Sequence, residues 1–226
     1  MRHHLTASLA NTLAQGYCRN MSSTAKPGAS GSGGQAPDAP RELTDPRAMR
    51  ALTHPIRLAL LEALKVEGSL TATQAGELIG EPPNSCSFHF RQLARYGFVE
   101  EAGQGPGHAR PWRLKTLEVR LPDLYDAPDT AVAGRALMGL VRERHFARAT
   151  AFEESRDSYP TAWREAAVHN QDMIHLSPAE LKAVEAEFTA ILDRYRERNT
   201  DPSLRPVDAL PVEVLTVAYP LRPPRQ

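Results

Sequence analysis

Cysteine is almost absent from this chain of 226 residues: Cys18 and Cys86 are the two. Cys18 falls in a low-complexity leader and Cys86 in a helical pattern, so a structural disulfide is not expected. That usage fits a reducing cytoplasm. No run approaches the roughly 18 apolar residues that a membrane-spanning helix needs, so no membrane partner is expected. The first twenty residues lack the continuous apolar segment of a signal peptide. Neither sign of charge dominates, with 27 Lys and Arg against 27 Asp and Glu. Catalytic signatures are missing too. The glycine-rich stretch from Gly103 to Arg110 has no helix after it, so it is no phosphate cradle. There is no nucleophile elbow and no His-Glu-x-x-His. The chain reads as a non-enzyme without a cofactor.

Balanced net charge hides an uneven distribution. Residues 41–121 carry 11 basic against 9 acidic side chains, and residues 122–226 carry 13 against 17. The densest positive stretch runs from Asn84 to Lys115, with 5 basic against 2 acidic side chains. Such an excess suits a nucleic-acid partner without demanding one. Residues 1–42 read as a disordered leader, because Ser22–Pro40 is rich in Gly, Ser, Ala and Pro. Met21 is an alternative start to Met1.

Order is expected from Leu43. Ala48, Leu52, Ile56, Leu60 and Leu64 recur near the helical period. Asp45 caps this helix with Pro46 at its first position, and His54-Pro55 breaks it in two. Leu70 follows as a strand-like contact. Thr71 or Thr73 caps a short helix that ends at Gly80, with Ala75, Leu78 and Ile79 inward. Glu81-Pro82-Pro83 forces a turn, and Asn84 is the expected N-cap of the next helix. There Cys86, Phe90 and Leu93 form a buried stripe with His89 at its edge, and Gly97 ends the helix. Phe98–Ala102 and Pro111–Lys115 are the expected strands of a hairpin. Helix, helix, turn, helix and hairpin is the order of a winged helix-turn-helix over residues 43–120.

"LTHPIRLALLEAL", "SCSFHFRQLARYGFVEE", the glycine-rich tip and "RPWRL" together resemble the ArsR-type winged-helix regulators of bacteria, in particular their metal-independent branch common in actinobacteria. The resemblance covers about residues 44–117 and implies operator binding by a homodimer. Many members of that family hold metal through a Cys-x-Cys pair before the recognition helix. Here the corresponding "LTATQAGELIG" has neither Cys nor His. His145 with Glu153 and Glu154 makes an incomplete version of the family's second site. Cys86 and His89 at i and i+3 supply two ligands where a closed zinc site takes four. No metal is therefore expected, and a metal-responsive sensor is an alternative reading.

If the stripe of Cys86, Phe90 and Leu93 faces inward, then Asn84, Ser85, Ser87, Phe88 and Arg91 face outward. A helix fits the major groove and reads base edges with such residues. Thr73 and Gln74, opening the preceding helix, are candidate phosphate contacts, as are Arg110 and His108 on the wing. A solvated face is the bland reading of the same residues, and a protein-interaction winged helix is the rival function.

Residues 125–221 read as an α-rich C-terminal region. Thr130–Glu154 is expected to be one long helix, interrupted in its apolar stripe by Arg144 and His145. Leu137, Leu140 and Val141 suit either a dimer surface or the chain's own core. Ser177-Pro178-Ala179-Glu180 is a capping box. "DMIHL" (172–176) and "PVEVLTVAYPL" (211–221) are strand-like and are expected to pair. Trp163 and the surrounding aromatics suit a small-molecule effector pocket or core packing. The fold class is mostly α with a small amount of β: a winged helix-turn-helix followed by an α-rich region with a short strand pair. The expected function is a dimeric repressor on a double-stranded DNA operator, cytoplasmic and nucleoid-associated.

Overall fold

The structure is a computed structural model that describes residues 41–103, 110–116, 119–122, 125 and 127–223. The described chain is mostly helical with a little β, as expected. It divides into two compact units, one through Tyr159 and one from Pro160.

In the first unit, α1 (Pro46–Leu52) is capped by Asp45, whose side chain accepts from the Arg47 N–H at 2.8 Å. His54-Pro55 ends it, because the proline cannot accept a place in the ladder, and α2 (Pro55–Glu67) begins there. Gly68, at φ +79°, closes α2. α3 (Ala72–Ile79), α4 (Pro83–Arg95) and a three-stranded antiparallel sheet complete the winged helix. In that sheet β4 (Trp112–Leu114) lies between β2 (Ser69–Leu70) and β3 (Val99–Glu101), with Glu100 opposite Arg113. One hydrophobic core joins Met49, Leu60, Leu64, Ile79, Phe90 and Phe98, all essentially without solvent contact.

Three differences from expectation have physical causes. The leader is ordered at its last two residues. Arg41–Glu42 form β1, paired in parallel with β5 (Val119–Arg120). Arg41 donates to the Tyr96 and Gly97 carbonyls at 2.8 and 3.2 Å and lies 5.0 Å over the Phe98 ring. These contacts outweigh the cost of ordering two residues. The second difference is that α5 (Pro128–Ser155) belongs to the winged-helix unit. Ala133 and Leu137 enter the common core, and Leu140 and Val141 pack on its margin. Leu137 is thereby used within its own chain. Gly134 is the point of close approach: a Cβ there would meet the Tyr125 ring at 2.3–2.5 Å. Third, 172–176 and 211–221 form no strand pair; the short parallel pair of the chain is β1–β5 instead. The second unit contains α6 (Thr161–Ala166), α7 (Pro178–Asp193) and α8 (Glu197–Thr200). The expected capping box is formed, with Glu180 accepting from the Ser177 N–H at 2.7 Å.

Arg144, which interrupts the apolar stripe of α5, is 5% exposed and points at α2. Its Nε donates to Glu62 at 3.2 Å, and Arg148 reaches the same carboxylate at 2.8 Å. A single carboxylate thus offsets the desolvation of a buried guanidinium. Removing one partner of such a pair leaves a charge uncompensated. Glu62→Ala should therefore lower the unfolding free energy by about 3 kcal/mol, seen as a lower urea midpoint with an unchanged m-value.

Candidate nucleic-acid interface

The angle between α3 and α4 is set by their turn. Thr71 caps α3 in a full capping box: its Oγ1 accepts from the Gln74 N–H at 3.2 Å, and the Gln74 Oε1 accepts from the Thr71 N–H at 2.9 Å. At the other end Gly80 takes the left-handed conformation, φ +72°. Gly76 lets the turn fold back, since a Cβ on it would lie 2.4 Å from the Glu81 carbonyl oxygen. α4 then begins at Pro83, two residues before the start that Asn84 as N-cap implies. The reason is local: proline has its φ already set for the first helical position and has no N–H to leave unpaired. Asn84 is therefore not the N-cap but a first-turn residue, exposed.

Cys86, Phe90 and Leu93 are fully buried, which turns the opposite face of α4 outward. Asn84 and Arg91 are exposed, Ser85 and Ser87 half-exposed, and Phe88 is 51% exposed. Arg91 has no ion-pair partner among the described residues. The five residues occupy two turns of one helix, as a groove-reading surface requires. Thr73 and Gln74 are exposed at the start of α3; the Gln74 carbonyl is committed to the capping box. On the wing, Trp112 stacks on Phe90 with 5.5 Å between ring centroids and 16° between planes. This fixes the wing against α4. Arg110 is exposed and pairs with Glu101 at 3.2 Å, and Arg113 pairs with Glu100 at 2.8 Å. Exposed pairs of this kind are weak, so Arg110 can exchange its carboxylate for a phosphate at little cost. His108 lies outside the described residues.

Residues 52–102 match the family model of a helix-turn-helix domain. The match runs from the end of α1 to the end of β3 and includes the whole of α3, the turn and α4. It supports a DNA-binding transcriptional regulator. None of the curated proteins matches the chain. No helix among the described residues is long and apolar enough to cross a membrane.

The other sequence candidates are dispersed. Leu137 is in the core, Leu140 and Val141 at its margin, and Trp163 is half-buried in α6 of the second unit. Cys86 and His89 share a helix face, but burial pushes the Cys86 thiol up to about 11, away from the thiolate a metal would bind. Among the described residues no three His, Cys, Asp or Glu side chains gather. His145 engages Arg148 at 2.9 Å.

One cluster was not anticipated. His89 is 8% exposed, and its ring lies 4.5 Å from that of His54 at a tilt of 42°. The two are 35 positions apart, so no sequence spacing signals the pair. Burial, then His54, then Arg57 hold the His89 pKa down at about 4. The folded protein therefore refuses a proton that the unfolded chain takes up near 6.5. Stability from this group is complete above pH 6.5 and is lost as the pH falls from there towards 4. Between pH 7.5 and 5 the wild type should lose about 2 kcal/mol through this group. His89→Gln should flatten that part of the pH profile, measured by urea unfolding at each pH.

Proposed function

We propose that the chain is a sequence-specific DNA-binding transcriptional regulator without enzymatic activity, a homodimeric cytoplasmic repressor of the metal-independent ArsR-like kind. The observation that carries this reading is the outward face of α4. Asn84, Ser85, Ser87, Phe88 and Arg91 stand exposed or half-exposed on a helix whose other face is wholly buried. Arg91 suits a guanine edge or a phosphate, Asn84 an adenine edge, and Phe88 a thymine methyl. Thr73, Gln74 and Arg110 flank the helix as backbone contacts, which position without reading sequence. Two copies would place their recognition helices about one helical turn apart on a two-fold operator.

The test is binding to the DNA upstream of the chain's own gene, against scrambled DNA, across a salt series. The expected result is a specific complex whose affinity falls steeply with salt. Arg91→Ala should weaken it by about 1–3 kcal/mol and narrow the gap between specific and scrambled DNA. A folded protein that binds neither DNA at low salt would sink the reading in favour of a protein-interaction winged helix.

The dimer is supported by the second unit. No residue from 160 to 223 is buried. On α7, Leu181 and Val184 are half-exposed, and Phe188 and Ile191 are more than 40% exposed. Val212, Val214, Leu215, Val217, Tyr219 and Leu221 are exposed in the same unit without belonging to any sheet. So much apolar surface, with β-prone backbone beside it, is a surface made to be covered. Sedimentation should show a dimer at micromolar concentration, and Phe188→Asp with Ile191→Asp should yield a folded monomer. A wild-type monomer at tens of micromolar would reject the homodimer. A small apolar effector is the other ligand such a surface suits, and Trp163 fluorescence would report it.

A further inference from the structure

Three buried side-chain atoms of the winged helix have no hydrogen-bond partner: Nδ1 of His54, Nε of Arg57 and Nδ1 of His89. The ring contact at 4.5 Å joins the two histidines, and the Arg57 charge acts on both rings. Each buried polar atom left unpaired costs on the order of 1–3 kcal/mol. Scattered, such atoms would be small imperfections. Gathered at one point from two helices, they describe a place for a group that comes from outside.

The chemistry of the donors says which group. His54 is the N-cap residue of α2, a helix of 13 residues, and its side chain makes no capping bond. Pro55 has no N–H. The N–H groups of Ile56 and Arg57 are thus the positive end of the helix, half-buried, with no capping side chain on them. Arg57 has no ion-pair partner among the described residues, so its charge is available. Each neutral imidazole with its proton on Nδ1 is a further donor. Arginine, two ring N–H groups and two backbone N–H groups around a helix N-terminus suit a tetrahedral oxyanion. A cation is opposed by Arg57 and by the helix end. The position matters as much. His89 follows Phe88, whose ring stands edge-on to it at 5.2 Å and 76° while 51% exposed on the outward face of α4.

We propose that the N-terminal end of α2, with His54, Arg57 and His89, is a phosphate-binding site that takes a backbone phosphate of the DNA lying along α4. The inference rests on the DNA-binding reading above. Free inorganic phosphate offers the same chemistry, and the experiment separates the two sources. A contact to the backbone positions the protein and carries no sequence information. The site would anchor α2 to one strand and so fix the depth at which Phe88 and Arg91 enter the groove.

Two measurements are made on the full-length protein. In the first, wild type, Arg57→Gln, Arg57→Lys and Arg91→Ala are titrated with specific and scrambled DNA across a salt series. Arg57→Gln should weaken both DNAs equally, about tenfold, and reduce the slope of log affinity against log salt by about one. Arg57→Lys, which keeps the charge and loses the Nε donor, should fall between. It also serves if Arg57→Gln unfolds. In the second, inorganic phosphate is added to the free protein while the His54 and His89 ring resonances are followed by NMR. A DNA effect without ring shifts up to about ten millimolar phosphate assigns the site to the DNA backbone. Ring shifts at low millimolar phosphate that vanish in Arg57→Gln, with DNA affinity unchanged, overturn the DNA assignment in favour of free phosphate. No change in either measurement overturns the site. If the wild type binds no DNA at all, the regulator reading has failed and the DNA assignment falls with it, whatever the phosphate titration shows of the oxyanion site.

Discussion

Burial of Cys86, Phe90 and Leu93 along one side of α4 is the constraint on which the rest of the first unit depends. A helix has a fixed period, so sealing one face determines the other. Once those three side chains enter the core with Phe98, Leu60 and Ile79, Asn84, Phe88 and Arg91 have only solvent or a partner to face. The turn before α4 and the wing after it are both accommodations to that burial. Gly76 permits the close return of the chain at Glu81, and Trp112 stacks on Phe90 from the sheet side. Helix and wing are thus positioned by apolar contacts, while Arg91 stays unpaired among the described residues and the wing arginines are held only by exposed pairs.

Charge is handled differently in the interior and at the surface. Glu62 holds Arg144 and Arg148 at the join of α2 and α5, where loss of the carboxylate would strand a buried cation. On the wing the pairs Arg110–Glu101 and Arg113–Glu100 are exposed and easily exchanged. Between these extremes lies the group of His54, Arg57 and His89, polar, largely buried and unpaired within the chain. The His89 ring touches Phe88, which stands on the outward face of α4, so the unpaired group borders the surface where an anionic partner would meet the protein.

The second unit obeys the opposite rule. Its longest helix, α7, is well capped, as the reciprocal bonds of Ser177 and Glu180 show. Yet it buries none of its residues. Local hydrogen bonding can start and stop a helix, but tertiary burial is what makes it stable. The apolar side chains of α7 are left uncovered within the unit, and that is the surface on which the proposed dimer rests.

Much of the first unit was legible in the sequence because its signals are local. Asp45-Pro46, His54-Pro55, Thr71 with Gln74, Gly80 and Gly97 act within a few residues of themselves, and the stripe of Cys86, Phe90 and Leu93 follows from helical period alone. The start of α4 was misplaced by two residues because proline at the first turn outcompeted Asn84 as the boundary. What no local signal carries was decided only in three dimensions. Arg144 reads as a flaw in an apolar stripe until Glu62, 82 positions away, lies beside it. Arg41 belongs to the leader until Phe98 and the end of α4 give it a place. The segments 172–176 and 211–221 have strand composition but no pairing, because β-propensity names a suitable surface and not a partner. The sequence by itself determined the order of elements in the winged helix, the caps at Asp45, Thr71 and Ser177, and the outward face of α4, since each depends on neighbours in the chain. Only the tertiary structure decided that α5 joins the winged helix and that His54, Arg57 and His89 meet, since burial and charge act through space, across separations no spacing rule records.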